Sequence, residues 1–290
     1  MAATQTGVSS PYPAIRGQAR VLENRVEGNG RILTLAVPNW PGSIPGQFLM
    51  IGAGAESEVV RRDPLLPRPM AVYRELGSVE EAPASAAERK VELLYRVVGR
   101  GTTLLSEAAP GESISLVGPL GCGFPFARED VGSGPALLVG GGTGIASLYE
   151  LAKALAATDR EVVVILGARS APDLTGRDDF EALGIELVCT TEDGSVGIAG
   201  RVTEPLATRL EAAQGGATVF AVGPTPMMRA CAELASEKGA KCLVSLENPM
   251  ACGFGVCLGC AAPRAEGGFS LVCKAGPIFD AQEIDWKGLP

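Results

Sequence analysis

The chain has 290 residues, too many for one ordinary hydrophobic core, and its 46% hydrophobic and 20% charged residues describe compact domains. A net charge of −8, with basic residues only in isolated pairs such as Arg61-Arg62, argues against a nucleic-acid partner. Histidine is absent, which excludes His-based triads, HExxH zinc sites and imidazole proton shuttles, so a cofactor is expected to carry the chemistry.

Residues 1–14 hold neither an apolar run nor a basic start, and they read as a flexible tail, not a signal peptide. No apolar stretch approaches the roughly 20 residues of a membrane helix. The expectation is a cytoplasmic protein with no membrane contact. Across 15–130, six runs separated by Gly and Pro ("ARVLENRVE", "RILTLAV", "QFLMIGA", "PMAVYR", "VELLYRVV", "ESISLVG") predict a small antiparallel β-barrel. One segment, "GTTLLSEAA", reads as helical, and polar residues 75–90 read as an exposed hairpin excursion.

After "DVGSGP" the rhythm changes. In 131–246 the runs "ALLVG", "EVVVILGA", "IELVCTT", "ATVFAVG" and "AKCLVSL" alternate with helical patterns, which predicts a parallel, doubly wound nucleotide-binding α/β domain. No internal repeat is apparent. The stretch "ALLVGGGTGIASLYELAKAL" sets Gly140, Gly141, Gly142 and Gly144 between a strand and a helix. Without Cβ atoms they are expected to let a pyrophosphate approach the backbone at a helix N-terminus. The run departs from GxGxxG, and Arg169 stands where an ordinary Rossmann strand ends in an acid. Further loops, "GARS", "TTEDGSVG" and "VGPTPMM", fall at strand ends, where ligands bind such sheets.

In the barrel half, Arg68 before Pro69 presents a planar cation on a fixed backbone, and "GRGTT" opens a helix that can offer N–H groups. Two phosphate contacts beside an apolar strand suit a flavin dinucleotide. Either motif alone is weak, but both in order, followed by "GPLGCGF", are stronger.

Over 15–246 the sequence resembles the ferredoxin-NADP reductase superfamily, a flavin barrel followed by a nicotinamide domain. That resemblance implies FAD contacts from Arg68, Pro69, Met70, Ala71, Leu94, Tyr95, Arg96, Gly101 and Thr102. It places Gly140, Gly141, Gly142, Thr143, Gly144, Arg169, Glu192, Asp193, Gly223 and Pro224 around NAD, with NADP left open. Three positions depart from the family pattern: Ala71 replaces a hydroxyl residue, Val222 a cysteine and Ser147 a proline.

Of eight cysteines, Cys122, Cys189, Cys231 and Cys242 are scattered and read as buried thiols. Cys252, Cys257, Cys260 and Cys273 follow C-x4-C-x2-C-x12-C, whose first three positions match the plant-type 2Fe-2S pattern. Structural zinc would usually show two C-x2-C knuckles, and disulfides fit a cytoplasmic chain poorly, but both remain alternatives. Residues 247–290 are expected to form a small C-terminal iron–sulfur module. With "SLENPMACGFGVCLGC" and "LVCKAGPIFDAQEIDW", the chain resembles the electron-transfer subunits of type B dihydroorotate dehydrogenase. The fold class expected is thus multidomain β + α/β.

This resemblance implies a partner, an FMN-containing catalytic subunit that oxidises dihydroorotate, in a heterotetramer of two heterodimers. It implies a relay through the cluster and FAD to NAD. Two other readings stand beside it. One is a reductase subunit of another redox complex, such as a sulfide dehydrogenase, a hydrogenase or a ferredoxin-dependent transhydrogenase; the other is a zinc-stapled nucleotide sensor.

Overall fold

The computed structural model describes residues 6–56, 63–79, 87–127 and 131–289. Arg61, Arg62 and residues 80–86 of the expected hairpin excursion lie outside them. Seven antiparallel strands build the first half: β1 (Ile15–Glu27), β2 (Gly30–Pro38), β3 (Phe48–Ile51), β4 (Arg68–Ala71), β5 (Arg74–Ser78), β6 (Glu88–Tyr95) and β7 (Ser113–Leu120). They lie in the order β4-β3-β7-β1-β2-β6-β5, so two strands adjacent in the chain occupy opposite edges. The joint between them explains the curl. Val72 N–H donates to the Gln47 carbonyl on one side (3.1 Å), and Tyr73 N–H donates to the Glu92 carbonyl on the other (2.9 Å). The barrel therefore closes by a strand changing partners. Alternating inward residues, among them Val21, Leu33, Leu35, Leu49, Leu93 and Ile114, fill it.

The sequence runs predict six strands here; the seventh, β5, overlaps the predicted polar excursion. As an edge strand β5 has one neighbour and half-exposed side chains, so polarity is tolerated there. The expected helical segment forms as a short helix, Arg100–Ser106.

The second sheet contains β8 (Ala136–Gly141), β9 (Val162–Ala168), β10 (Glu186–Thr191), β11 (Ile198–Ala199), β12 (Thr218–Val222), β13 (Lys241–Ser245) and β16 (Ile278–Asp280). Its order is β11-β10-β9-β8-β12-β13-β16, parallel except for β16. Runs such as Val163–Leu166 and Val219–Val222 are buried, as expected for strands covered on both faces. Helices Tyr149–Ala156, Thr203–Ala213 and Thr225–Glu237 supply the cover. Chain order reverses between β8 and β12, which creates a switch-point crevice at their C-terminal ends.

The cysteine segment is woven into this sheet. After the loop, β14 (Ala261–Pro263) and β15 (Phe269–Leu271) form a hairpin, and β16 then returns antiparallel to β13, with Val244 opposite Phe279. Part of the expected flexible tail is held as well: Val8 and Gly123 exchange two backbone hydrogen bonds of 2.9 Å, and the Thr6 hydroxyl donates to Glu283 (2.6 Å). Among the described residues no helix is long and apolar enough to cross a membrane.

Barrel and nucleotide sheet meet through a charged joint that the sequence did not advertise. Arg74 pairs with Glu92 (2.5 Å) inside the barrel and with Asp179 across the interface. Tyr73 Oη donates to Asp179 (2.7 Å) and its ring packs 5.3 Å from that of Tyr149. Burial, then the hydrogen bond to Asp179, pushes the Tyr73 hydroxyl far above its usual range, so it stays a donor.

Candidate functional site

The two barrel motifs meet in space. Gly101 lets the Arg68 guanidinium lie directly over the glycine backbone, where a Cβ would displace it. Arg68 is further fixed by donating to the Leu66 carbonyl. The Thr102 hydroxyl accepts from Val98 N (2.9 Å) and Gly99 N (3.2 Å) and donates to Gly99 O (2.9 Å). It is consumed in shaping the turn, which leaves the Arg68 cation and backbone N–H groups for a phosphate.

Beside them opens a cavity of about 390 Å³ between the barrel and the nucleotide sheet. From the barrel it takes Pro69, Met70, Ala71, Leu94, Tyr95, Arg96 and Thr102. From the other side come Thr143, Ala146 and Ser147, then Ser245 at the end of β13, with Leu246 to Asn248 and Met250 after it. Seven of the nine residues expected to touch FAD line this one cavity; Arg68 and Gly101 do not, but adjoin Pro69 and Thr102 in sequence. A flavin fits this donor set. The apolar wall of Leu94, Met70 and Met250 suits a ring system, and Arg68 on Gly101 suits a phosphate. At Ala71 the wall offers only a methyl group.

A second cavity, about 540 Å³, lies at the C-terminal strand ends of the parallel sheet. Gly141, Gly142, Arg169, Glu192 and Pro224 line it. Arg96 lines both cavities, so they share a wall there. Arg96 is anchored by Asp173 (3.2 Å). The hydrogen bond from Asn29 (2.9 Å) holds the Asp173 carboxyl below its usual range against the effect of burial, with Ser170, Arg96 and Arg169 contributing.

Of the ten residues expected around the nucleotide, four line neither cavity: Gly140, Gly144, Asp193 and Gly223. The Asp193 carboxylate accepts from Ser195 N (3.0 Å) and Oγ (2.6 Å), which builds a turn. Close packing also accounts for three of the four glycines of this loop. A Cβ on Gly140 would strike Ile145 at 2.7 Å, one on Gly141 would strike Met227 at 2.5 Å, and one on Gly144 would strike the Val222 carbonyl at 2.7 Å. These glycines serve close packing at the switch point. Only Gly142, at φ 56°, faces open space. Thr143 faces the first cavity, and Gly142–Leu148 is a 3₁₀ stretch before the helix proper. Of the departures, Ser147 lines the first cavity, whereas Val222 is buried in the core and lines neither.

Sequence reasoning missed Arg201 and Thr203 in the second cavity and Ser245, Glu247 and Asn248 in the first. A signal existed, since all lie at or beyond the C-terminal ends of parallel-sheet strands. Glu247 is exposed to solvent at the cavity, and partial desolvation by the atoms around it pushes its carboxyl upward.

Cys252, Cys257 and Cys260 lie on a loop with three left-handed residues, Gly253 (φ 84°), Gly255 (φ 85°) and Leu258 (φ 62°), and Cys273 lies on the short helix Val272–Ala275. A Cβ on Gly253 would collide with Met50, so the loop rests on β3, the neighbour of β4. The β14–β15 hairpin folds back the twelve residues between Cys260 and Cys273, placing Cys273 N–H 3.4 Å from Cys260 Sγ. Burial opposes ionisation of Cys252, but N–H groups of Cys257 and Phe254, the Cys257 thiol and Val256 N–H outweigh it and bring the pKa down to about 6. Burial, then the adjoining Cys260, pushes Cys273 up to about 12. Among the described residues no three side chains converge as a preformed site for a single metal ion. Four thiols, three on an N–H-rich, glycine-relaxed loop and the fourth brought back by the hairpin, fit a multi-iron core.

These features define an oxidoreductase of the flavin- and nicotinamide-linked reductase class with an iron–sulfur domain. The model for the iron-sulfur cluster binding domain of dihydroorotate dehydrogenase B matches residues 247–285, and that for the oxidoreductase NAD-binding domain matches 138–233. A dihydroorotate dehydrogenase B (NAD(+)) electron transfer subunit of Caldanaerobacter subterraneus subsp. tengcongensis is 37% identical over 92% of this chain and 97% of its own. Its counterpart in Bacillus caldolyticus is 37% identical over 83% and 86%. A chain from the structure of the NADH-dependent reduced ferredoxin-NADP oxidoreductase, solved to understand flavin-based electron bifurcation, is 30% identical. It superimposes with a TM-score of 0.76 over 93% of this chain and 90% of that one. The chain belongs to the family of dihydroorotate dehydrogenase B electron transfer subunits.

Proposed function

We propose that this chain relays electrons from the FMN of a catalytic dihydroorotate dehydrogenase subunit to NAD+. The inter-domain cavity holds FAD, the adjoining cleft receives NAD, and Cys252, Cys257, Cys260 and Cys273 carry a 2Fe-2S cluster. The observation that carries this reading is continuity. Met250 lines the flavin cavity and Cys252 lies two residues on, at most about 7 Å away between Cα atoms. Cluster and flavin are thereby held at opposite ends of one short segment.

A flavin exchanges electrons singly with a cluster and pairwise, as hydride, with a nicotinamide. The protein supports that conversion by position. Arg68, seated on Gly101, and the Thr102 turn orient the flavin phosphates. Arg96, held by Asp173, forms the wall shared with the nucleotide cleft, so it would hold a fixed cation beside both a flavin and a nicotinamide bound there. Phe254, Val256 and Leu258 are 55%, 74% and 62% exposed on the cluster loop, and Phe254 lines a surface cavity together with Leu65 and Leu66, an apolar exposure suited to the catalytic partner. A heterotetramer of two such pairs, working in the cytoplasm, is the assembly that the family resemblance implies.

The test is purification with the natural partner under anaerobic conditions. A flavin spectrum, two irons and two labile sulfides per chain, and flavin bleaching by dihydroorotate are expected. Bleaching by reduced ferredoxin but not by dihydroorotate would assign the chain to a ferredoxin-linked complex instead. Loss of iron and sulfide from such a preparation would sink the cluster assignment. Comparing turnover with NAD+ and NADP+ tests the nucleotide, and sedimentation of the complex tests the stoichiometry.

A further inference from the structure

We propose that Glu247 is the proton carrier of the flavin cavity, loading from solvent the hydrogen that leaves as hydride on NAD+. This rests on the reading of the cavity as the flavin site and deepens it. Each electron pair reaches the flavin as two single electrons without a proton. It leaves as hydride, a pair of electrons plus one proton. One proton must therefore enter the cavity for every NADH formed: two electrons and one proton in, one hydride out. In the reverse direction the same proton is returned.

Histidine, the usual group for this work, is absent from the chain. Among the described residues lining the cavity, only three side chains carry groups that ionise or are charged in water: Tyr95, Arg96 and Glu247. Tyr95 donates its hydroxyl to Asn24 (2.9 Å), and burial raises its pKa, so it stays protonated. Arg96 is a permanent cation paired with Asp173. The hydroxyl of Thr102 is committed to its own turn. Glu247 remains. No hydrogen bond or ion pair engages its carboxyl among the described residues, and it both lines the cavity and reaches solvent. A group that shuttles a proton needs both connections. Its placement is firm, because the preceding residue, Leu246, donates its N–H to the Pro277 carbonyl (2.9 Å), tying this end of β13 to the turn before β16.

The experiment compares two half-reactions in the flavin- and cluster-loaded chain carrying Glu247→Gln. Anaerobic reduction of the flavin by NADH transfers a complete hydride and needs no proton from the protein. Reduction by a one-electron donor, titanium(III) citrate, needs one proton, followed with an indicator dye in weakly buffered solution. Glu247→Gln is expected to slow one-electron reduction and its synchronous proton uptake at least tenfold while NADH reduction stays within twofold of wild type. Glu247→Asp should recover much of the loss. An unchanged one-electron rate, or equal slowing of both half-reactions, would overturn the proposal, the latter marking Glu247 as a residue that only positions the flavin. A wild-type preparation without bound flavin would instead overturn the reading of the cavity itself, and the proposal with it.

Discussion

Gly101 has a role that is set by one neighbour, and substitution there tests the seat of Arg68. Gly101→Ala would place a methyl group on the guanidinium, which must then leave its position. Loss of a charge-assisted hydrogen bond is worth about 1.5–3 kcal/mol, so FAD affinity should fall by roughly tenfold or more. Fluorescence of FAD released on dilution measures this directly. Gly253→Val is the matching change on the cluster loop. It would impose a β-branched residue at φ 84° and drive it into Met50. The iron-to-flavin ratio of the purified protein should drop well below that of wild type, with flavin content preserved. In both positions the sequence announced a glycine-rich motif, but only the contact shows which neighbour the missing side chain makes room for. The same distinction separates Gly142, open to solvent, from Gly140 and Gly144, which are packed against their own domain.

At the scale of elements, the strands that build each core were legible because burial demands apolar runs of the right period. All five long strands of the parallel sheet coincide with expected runs, and the barrel strands except β5 do likewise. In the two seven-stranded sheets, what escaped were β5, β11 and β16, which are short or polar edge strands whose pairing is decided by distant backbone, not by their own side chains; the β14–β15 hairpin escaped as well. Site residues divided similarly. Those on glycine or Arg-Pro motifs could be read ahead, whereas Glu247, Arg201 and the Arg96–Asp173 latch depend on elements far apart in the chain. That latch has a pH signature. The Asp173 carboxyl is held below its ordinary value, so its stabilisation is present above the unfolded value near 4 and is lost as pH falls through the depressed folded value. Asp173→Asn lacks it throughout. Removing about 1 kcal/mol would lower the melting temperature near pH 7 by about 2–4 °C, and the gap between variant and wild type should close as the pH drops below about 4. Melting curves across pH 3–7 provide the check.

For the whole molecule, the C-terminal segment does two things at once. It carries the cysteine loop outward, and through β16 it anchors that loop to the edge of the nucleotide sheet. The loop is therefore a rigid extension of the domain that binds the nicotinamide, resting on the barrel through Gly253 and Met50. Such a frame keeps the route from surface to flavin short while leaving Val256 and Leu258 facing outward. Because these two side chains contribute little to the core, charge placed on them should act on association alone. Val256→Asp with Leu258→Asp is expected to weaken binding of the catalytic partner at least a hundredfold, since two apolar contacts near the centre of an interface become buried, unpaired charges. NADH-dependent flavin reduction and iron content of the isolated chain should remain at wild-type levels. Titration of the variant against the partner by calorimetry measures the first effect, and rapid-mixing kinetics with NADH the second. If affinity is unchanged, the partner docks elsewhere. A loss of iron together with affinity would instead mean that the apolar side chains shape the loop itself, and that the cluster is shielded from within the chain before any partner arrives.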